Sequence, residues 1–301
     1  MRRIANPVPG NHQTTRGATK LGWALGALGV LSLLTVGPAA HAQGNASHDF
    51  VPTVFQAAGP TADSIRGTVV AYRAALGDPV NPDGSNNVDP ATGRAIGHRE
   101  INWDGGGANT TTDFPVTPFT RFLNSRGALF TTPGVGLSQA PPSGGAQGGL
   151  EALFTNPTYG ATFSPFSTPR LFTPVGSNIT EVVFFAPGSN GSVAATVRGF
   201  GAVFTDVDQP NGSGPGKKRG NRQASTLIEY FSVHGDLLFS SFVPAAPGDA
   251  SLSFFGIVFD DALIAHVRIT TGDVAPGPDD DAKHDIVMMD DFLYAEPQPL
   301  P

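Results

Sequence analysis

The chain has no cysteine among its 301 residues. Disulfide scaffolds, cysteine-ligated zinc sites, thiol nucleophiles and CxxC redox motifs all need that side chain, so the sequence excludes each of these classes. Charged residues are also scarce, at 14% of the chain, and 25 acidic residues stand against 18 basic ones. Only one long apolar run is present, and it lies near the N-terminus.

The residues that are abundant point to a loop-rich β protein. The chain contains 38 Gly and 27 Pro, which is too many for a helical bundle, and they are too irregularly spaced for collagen. Apolar residues make up 40% of the chain and include 21 Phe, so there is enough hydrophobic surface for a folded core.

Residues 1–42 have the pattern of a secretory signal peptide. The first 20 residues carry four basic side chains and no acidic one, residues 21–36 are apolar, and Ala40-His41-Ala42 gives a small-x-small cleavage pattern. An uncleaved membrane anchor is the alternative, but this apolar run is short for a bilayer span. We therefore expect cleavage after Ala42 and a secreted or periplasmic, extracytoplasmic location without a membrane anchor.

The charge of the remaining chain limits its partners. Loss of residues 1–42 removes four basic residues and no acidic one, which changes the formal net charge from −7 to −11. Such an acidic chain does not attract nucleic acid or anionic lipid, so neither is an expected partner.

The predicted architecture is mainly all-β: a jelly-roll-like β-sandwich with an N-terminal helix and long loops. Residues 43–112 are interpreted as the helix and a loop-rich extension, and residues 113–301 as the sandwich domain. The helix is predicted between Thr61 and Gly77, because apolar residues recur there at helical spacing and Gly77 is a typical C-terminal residue. Strand-forming runs are 181–185, 193–204, 227–233, 237–243, 252–259, 264–270 and 286–294.

Shorter apolar pieces at 128–132, 150–154 and 170–174 are expected to complete the two sheets. Two short connections, 234–236 and 260–262, predict hairpins between the runs that they join. Recurrent strands without intervening helices favour a sandwich or barrel over a parallel α/β sheet.

The strand-rich segments carry a resemblance to known proteins. GFGAVFTDVD, TLIEYFSVHGDLLFS, LSFFGIVFDDALIAHVRITTG and IVMMDDFLYAEPQ, together with GHREINWDG and RLFTPVGSN, resemble a group of uncharacterised secreted bacterial proteins. The C-terminal halves of that group look like jelly-roll modules of exported and surface proteins, including those with PEP-CTERM sorting tails. The resemblance implies a jelly-roll fold but no activity. The PEP-CTERM tail is absent here, so that anchoring route is not expected.

Calcium is the candidate cofactor, because the loops offer the oxygen ligands that it prefers. Asp206 and Asp208 stand two apart in FTDVDQPNG, so an extended chain would point both carboxylates to one side. Asn211 could add an oxygen from the turn, and Asp290 could join from the last strand. A second, weaker candidate is the loop 81–89, in which Asn, Asp and Ser alternate. The alternative for both sites is ordinary turn chemistry.

Glycan binding is the candidate partner interaction. A sugar platform needs an exposed aromatic face, and Trp103 is the only tryptophan after residue 42. Trp103 and the adjacent Asp104 are therefore the candidate ligand-binding residues, with a glycan or cell-surface component as the expected partner. The sequence favours a buried Trp103 that anchors its loop over this exposed platform.

No catalytic residue is assigned from sequence, but one row of polar side chains is a candidate for hydrolysis. His98, Glu100, Asn102 and Asp104 alternate, so an extended strand would place all four on one side. Such a row is typical either of an acid/base or metal site or of an exposed strand edge.

The sequence therefore predicts a secreted, non-enzymatic binding or surface-associated β-sandwich module with calcium as a candidate stabilising ion. The first alternative is an extracytoplasmic, glycan-active hydrolase that uses the carboxylates of Glu100 and Asp104. A structural envelope or matrix protein is the second alternative.

Overall fold

The computed structural model describes residues 51–105, 115–209, 226–278 and 284–300. The predicted signal segment and Asn211 lie outside these residues. Strands account for 37% and helices for 13% of the described residues, and two antiparallel sheets pack against each other with one helix near the N-terminal end. The predicted mainly-β sandwich is thus confirmed. Within the described residues, no helix has the length and apolar character needed to cross a bilayer.

Four helices and fourteen strands make up the described part of the chain. The helices are α1 (Ala62–Leu76), α2 (Leu123–Arg126), α3 (Gly149–Phe154) and α4 (Tyr159–Thr162). The strands are β1 (Thr53–Gly59), β2 (His98–Ile101), β3 (Ala128–Thr131), β4 (Gly136–Ala140), β5 (Leu171–Val175), β6 (Ile179–Phe184), β7 (Ala195–Thr196), β8 (Gly199–Thr205), β9 (Leu227–Phe231), β10 (Leu237–Phe242), β11 (Leu252–Val258), β12 (His266–Thr270), β13 (Met288–Ala295) and β14 (Gln298–Pro299).

The strands form two main sheets. The larger sheet has seven strands in the order β1-β11-β8-β13-β5-β4, and the seventh strand, β2, pairs with β13 on the edge opposite β8. The smaller sheet has the order β10-β9-β12-β6-β3, and β14 pairs with β7 in a short ribbon. Both β1 and β2 come from the segment interpreted as an N-terminal extension, and both are strands of the larger sheet.

The predicted strand runs are confirmed by β6 and by β8 to β13, and the hairpin at 234–236 by the antiparallel pair of β9 and β10. Two details were wrong. Residues 260–262 do not close a hairpin, because β11 lies in the larger sheet and β12 in the smaller one. Residues 150–154 form α3 instead of a strand, since Leu150 and Phe154, one helical turn apart, both pack into an apolar cluster with Tyr159.

The central strands of the larger sheet are buried on both faces, which explains why they are continuously apolar. In β8, Phe200, Ala202 and Phe204 face the smaller sheet, whereas Val203 faces the helix α1. We call these the inner and outer faces. Successive side chains of a strand point to opposite faces, so a strand covered on both sides needs apolar residues at every position.

Helix α1 packs closely on the outer face because two glycines make room for it. Its buried stripe is Ile65, Val69, Tyr72 and Leu76, the residues whose spacing predicted the helix. Gly201 and Gly256 are partners across β8 and β11, and a Cβ on either would come within 2.9 Å of the Tyr72 ring. The Tyr72 hydroxyl donates a hydrogen bond to the Ile257 carbonyl at 3.1 Å. The glycine pair thus fixes α1 beside β2, where the candidate site lies.

Candidate functional site

Strand β2 divides its side chains between two environments. Ile101, followed by Trp103, belongs to the core on the inner face, and Arg99 points to the same side. Glu100 points to the outer face, where it meets Arg73 of α1. Alternation along one four-residue strand therefore places Arg99 and Glu100 on opposite sides of the sheet.

An open cleft of about 430 Å³ lies beside α1 on the outer side of β2 and β13. We call it the Arg73 cleft. Its charged, polar and aromatic lining residues are Arg66, Arg73, Asn81, Glu100, Asn102, Arg126, Phe166, Ser167 and Asp291. This volume lies within the usual range of small-molecule sites.

Arg73 links the two carboxylates of the cleft. Its Nε and one terminal nitrogen donate to the two Glu100 oxygens at 2.6 and 3.2 Å. The same terminal nitrogen lies 3.7 Å from Asp291 Oδ2. The Arg73 and Glu100 side chains keep 31% and 25% of their surface exposed, so this ion pair is open to the solvent and to a ligand.

Glu100 is held in its ionised form. Burial opposes its ionisation, but hydrogen bonds from His98 and Arg73, reinforced by their charges, lower its pKa to about 2. Burial also disfavours the charged form of His98, which by itself would lower the pKa of this histidine. Its hydrogen bonds to Glu100 and to the Gly77 carbonyl outweigh this effect and raise the pKa above its ordinary value. Both His98 ring nitrogens face acceptors, Gly77 O at 2.6 Å and Glu100 Oε1 at 3.1 Å, an arrangement that suits a doubly protonated ring.

The pKa values of Asp290 and Asp291 are raised, whereas that of Glu100 is lowered. The two aspartates lie in a bulge where β13 shifts register against β8, and both are buried. Burial raises the pKa of both carboxyls, and the charge of Asp291 raises that of Asp290 further. The Ser167 hydroxyl donates to Asp291 Oδ1 at 2.6 Å, and the Phe166 and Ser167 amides donate to Asp290 Oδ2 at 2.5 and 3.1 Å.

The predicted row of four polar side chains is only partly formed. His98 and Glu100 are hydrogen bonded to each other, and Asn102 lines the same cleft. Asp104 does not line the cleft, because Trp103 has a φ of 62° and interrupts the extended geometry. The Asp104 carboxylate instead accepts a hydrogen bond from the Arg170 amide at 2.9 Å. The acid that accompanies Glu100 in the cleft is therefore Asp291.

Trp103 lies in the core, so it cannot present a ring face to a sugar. It is fully buried, and its ring stacks on Phe172 with centroids 3.7 Å apart and an interplanar angle of 3°. Its indole N–H donates to the Asp290 carbonyl at 3.2 Å. The ligand-binding role that the sequence suggested for Trp103 is replaced by an anchoring role.

The candidate calcium residues have separate surroundings. Asp206 is buried with a φ of 68°, and Asp208 Oδ1 accepts a hydrogen bond from the Gly248 amide at 2.6 Å. The Asp208 amide donates to Asp285, and burial, with the nearby charge of Asp208, raises the pKa of Asp285 to about 7. Asp290 is engaged beside the Arg73 cleft instead. No group of three or more His, Asp or Glu side chains within the described ranges has the geometry of a metal site.

The loop 81–89 surrounds a guanidinium group. Arg99 donates to both Glu296 oxygens at 2.7 Å and to the carbonyls of Asp83, Ser85 and Ser125. Both charged side chains are 0% exposed. Glu296 also accepts from the Asn81, Asn86 and Asn87 nitrogens, so the loop closes over the pair. We call this ion pair and its loop the Arg99 hub. Its centre is occupied by a cation that belongs to the chain itself.

A second, smaller cleft of about 280 Å³ lies near the hub, lined by Arg94, Arg198 and Asp261 among others. Arg198 donates to the carbonyls of Ala75 and Leu76 at the end of α1. Arg94 and Asp261 form an exposed ion pair at 2.7 Å. The polar groups of this cleft mainly hold the helix end and the chain surface.

Sequence reasoning identified Glu100 and Asn102 but missed Arg73, Arg126, Ser167 and Asp291. Arg66 and Arg73 stand seven residues apart, and this spacing puts both on one side of α1 next to its apolar stripe. This spacing could have predicted two arginines on one side of the helix. The meeting of α1 with β13 and the segment 166–167 was not predictable, because it depends on contacts between residues more than 90 positions apart.

Comparisons of the chain with protein-family models, with curated protein sequences and with solved structures find no match. The functional conclusion therefore depends on the geometry of the Arg73 cleft.

Proposed function

We propose that this protein is a secreted, non-catalytic β-sandwich module that binds a saccharide in the Arg73 cleft. The observation that carries the proposal is an open cleft in which α1, β2 and β13 hold charged donors and acceptors, and the segment 166–167 adds one aromatic side chain. Sites built on regular elements keep their geometry without a ligand, so binding costs little ordering.

The chemistry of the lining suits hydroxyl groups. Arg66 and Arg126 are donors, Glu100 and Asp291 are acceptors, and Asn102 is both. Phe166 supplies an apolar wall, over which the Arg66 guanidinium lies 5.6 Å from the ring centroid. A sugar ring has the same combination of hydroxyl edges and an apolar face.

The extracytoplasmic part of the proposal is supported by the signal-like segment 1–42 and by the resemblance to secreted proteins. Mass spectrometry of the exported protein is expected to find an N-terminus at Gln43. Retention of residues 1–42 would contradict export with cleavage.

The binding proposal is tested with the chain from residue 43, titrated by calorimetry with a panel of neutral and acidic oligosaccharides. Phe166→Ala and Asn102→Ala are expected to weaken binding about tenfold or more, because each removes a lining group of the cleft. Phe166 also packs against the core cluster under α1, so the unfolding midpoint of its variant is measured alongside the affinity. Arg94→Ala, in the second cleft, is the matched control and should leave affinity unchanged. Absence of binding to every member of the panel, or equal effects of all three variants, would contradict the proposal.

A hydrolase is the second candidate, favoured by one specific observation. Glu100 and Asp291 both contact Arg73, and their pKa values shift in opposite directions. A glycosidase needs one ionised and one protonated carboxyl group flanking the scissile bond. If the panel is cleaved, Glu100→Gln and Asp291→Asn should each abolish turnover, whereas Asp104→Asn should not. Unchanged turnover in the first two variants would assign the activity elsewhere.

Calcium stabilisation is proposed only for the turn that carries Asp206 and Asp208. Support comes from Asp208 and Asp285, whose carboxyl groups lie close enough that the charge of Asp208 raises the pKa of Asp285. Calcium at a hundred times its Kd would add about 2.7 kcal/mol to the free energy of unfolding, several degrees in the midpoint. Thermal unfolding in millimolar calcium and then in excess chelator measures this, with Asp208→Asn as the variant expected to lose the shift.

A further inference from the structure

We infer that the saccharide bound in the Arg73 cleft carries a carboxylate group. The inference rests on the proposed function and adds the substrate class. Three arginines line the cleft against two carboxyl groups, although the chain from residue 43 carries a net charge of −11. A concentration of positive charge on an acidic protein points to a ligand that brings negative charge.

The two carboxyl groups of the cleft are already matched by partners. Glu100 receives hydrogen bonds from Arg73 and faces His98, so its negative charge is balanced within the protein. Burial raises the pKa of Asp291, which favours its neutral form, and the Ser167 hydroxyl donates a hydrogen bond to it. The carboxyl groups that line the cleft therefore do not offset the positive charge of Arg66 and Arg126.

Arg66 and Arg126 keep donors for a ligand. Arg66 uses only its Nε toward a described side chain, Asp63, in an exposed pair at 3.0 Å in which Asp63 is 86% exposed. Exposed pairs of this kind contribute little, so a ligand can compete with Asp63. Arg126 donates from Nε to the Glu100 carbonyl and from one terminal nitrogen to the Pro82 and Ser125 carbonyls. Its second terminal nitrogen has no hydrogen-bond partner among the described residues.

Planar guanidinium groups favour planar carboxylates, because two parallel N–H groups meet two carboxylate oxygens. A uronic-acid residue combines such a carboxylate with ring hydroxyls for Asn102 and the acidic residues. An acidic oligosaccharide thus uses the arginines and the hydroxyl-binding groups of the cleft together.

The test compares acidic oligosaccharides with neutral counterparts of the same ring and length. Trigalacturonic acid and sialyllactose are each paired with their own methyl ester, and each is titrated into the full chain from residue 43. At least one acid is expected to bind ten times more tightly than its neutral counterpart, since charge-assisted hydrogen bonds are about twice as strong as neutral ones.

Arg66→Gln should weaken binding of the acid about tenfold and weaken binding of the neutral counterpart much less, because the Gln amide still donates hydrogen bonds to hydroxyl groups but carries no charge. Asp63→Asn is the matched control; it frees Arg66 and should leave binding of the acid as tight or tighter. Both positions are exposed on α1, so the unfolding midpoint should stay unchanged.

Three outcomes would overturn the inference. Equal binding of acid and neutral counterpart would leave the proposed function standing and remove the carboxylate. Tighter binding of the acid that is unaffected by both Arg66→Gln and Arg126→Gln would place the carboxylate outside the cleft. No binding of any sugar, acidic or neutral, would overturn the proposed function together with the inference.

Discussion

Arg99 and Glu100 are neighbours in one short strand, yet they belong to two very different ion pairs. Arg99 faces Glu296 in the hub, where both side chains are fully buried. Glu100 faces Arg73 in the cleft, where both side chains keep a quarter or more of their surface. The same guanidinium–carboxylate chemistry therefore occurs on the two faces of β2 with opposite access to solvent.

This difference in solvent exposure distinguishes structural from functional ion pairs in this molecule. In the hub, loop carbonyls accept the Arg99 hydrogen bonds that Glu296 does not, and asparagine nitrogens donate to the Glu296 oxygens. The ion pair therefore has no exposed donor or acceptor for a ligand. In the cleft, arginine donors remain unused, and burial opposes the ionisation of Asp291 and of the adjacent Asp290. Functional sites commonly keep such destabilising arrangements because the ligand needs them.

The largest effect should come from breaking the hub. Arg99→Met leaves the buried Glu296 carboxylate without its guanidinium partner and should lower the free energy of unfolding by about 3–5 kcal/mol. Urea unfolding measures the loss. Arg94→Ala, which breaks the exposed pair with Asp261, is the control and should change stability by less than about 1 kcal/mol. Equal losses in both variants would erase the distinction between hub and surface.

An intermediate effect is expected from Glu100 at acid pH. Its folded-state pKa of about 2 lies below the ordinary value of 4.5, so its stabilisation is present above pH 4.5 and is lost as the pH falls through 2. Glu100→Gln should therefore remove about 1–2 kcal/mol near neutral pH, after allowance for solvent screening, and little at or below pH 2. Urea titrations of both proteins at several pH values give the difference. A stability difference between the two proteins that does not vary with pH would contradict the lowered pKa of Glu100.

A smaller effect of opposite sign is expected at Asp291. Its pKa is raised by burial, so its contribution is fully present below its unfolded pKa and is lost as the pH rises through the folded one. Asp291→Asn should therefore raise stability at pH 8 by about 0.5–2 kcal/mol, while weakening ligand binding. Urea unfolding at pH 8 and calorimetric titration are the two readouts. Destabilisation at pH 8 would show that this carboxylate is structural, like Glu296.

The smallest effect on stability should come from Asn102, which is exposed at the cleft. Asn102→Ala should change the free energy of unfolding by no more than about 0.5 kcal/mol, as is usual for surface positions. The same substitution should weaken saccharide binding clearly. If the variant unfolds more easily but binds the saccharide with unchanged affinity, Asn102 stabilises the fold and is not a binding residue.

Much of the fold was predictable because periodicity reports burial directly. Ile65, Val69, Tyr72 and Leu76 predicted α1, and the continuous apolar runs predicted the central strands. Strand β4 (GLSQA) was not predictable, since its small and polar residues give no strand pattern and its burial follows from pairing with β5. Trp103 was ambiguous for a related reason, because an exposed sugar platform and a core anchor look alike in sequence; the structure has the buried anchor that the sequence favoured.

The sequence by itself determined the all-β class, the position of α1 and the alternation that separates Arg99 from Glu100, because these follow from local periodicity. Only the tertiary structure decided the partners. Arg99 met Glu296 197 residues away, whereas Glu100 met Arg73 on a helix held in place by Gly201 and Gly256. The solvent exposure of each ion pair depends on the segments that pack over that face of β2. Those segments are distant from β2 in the sequence.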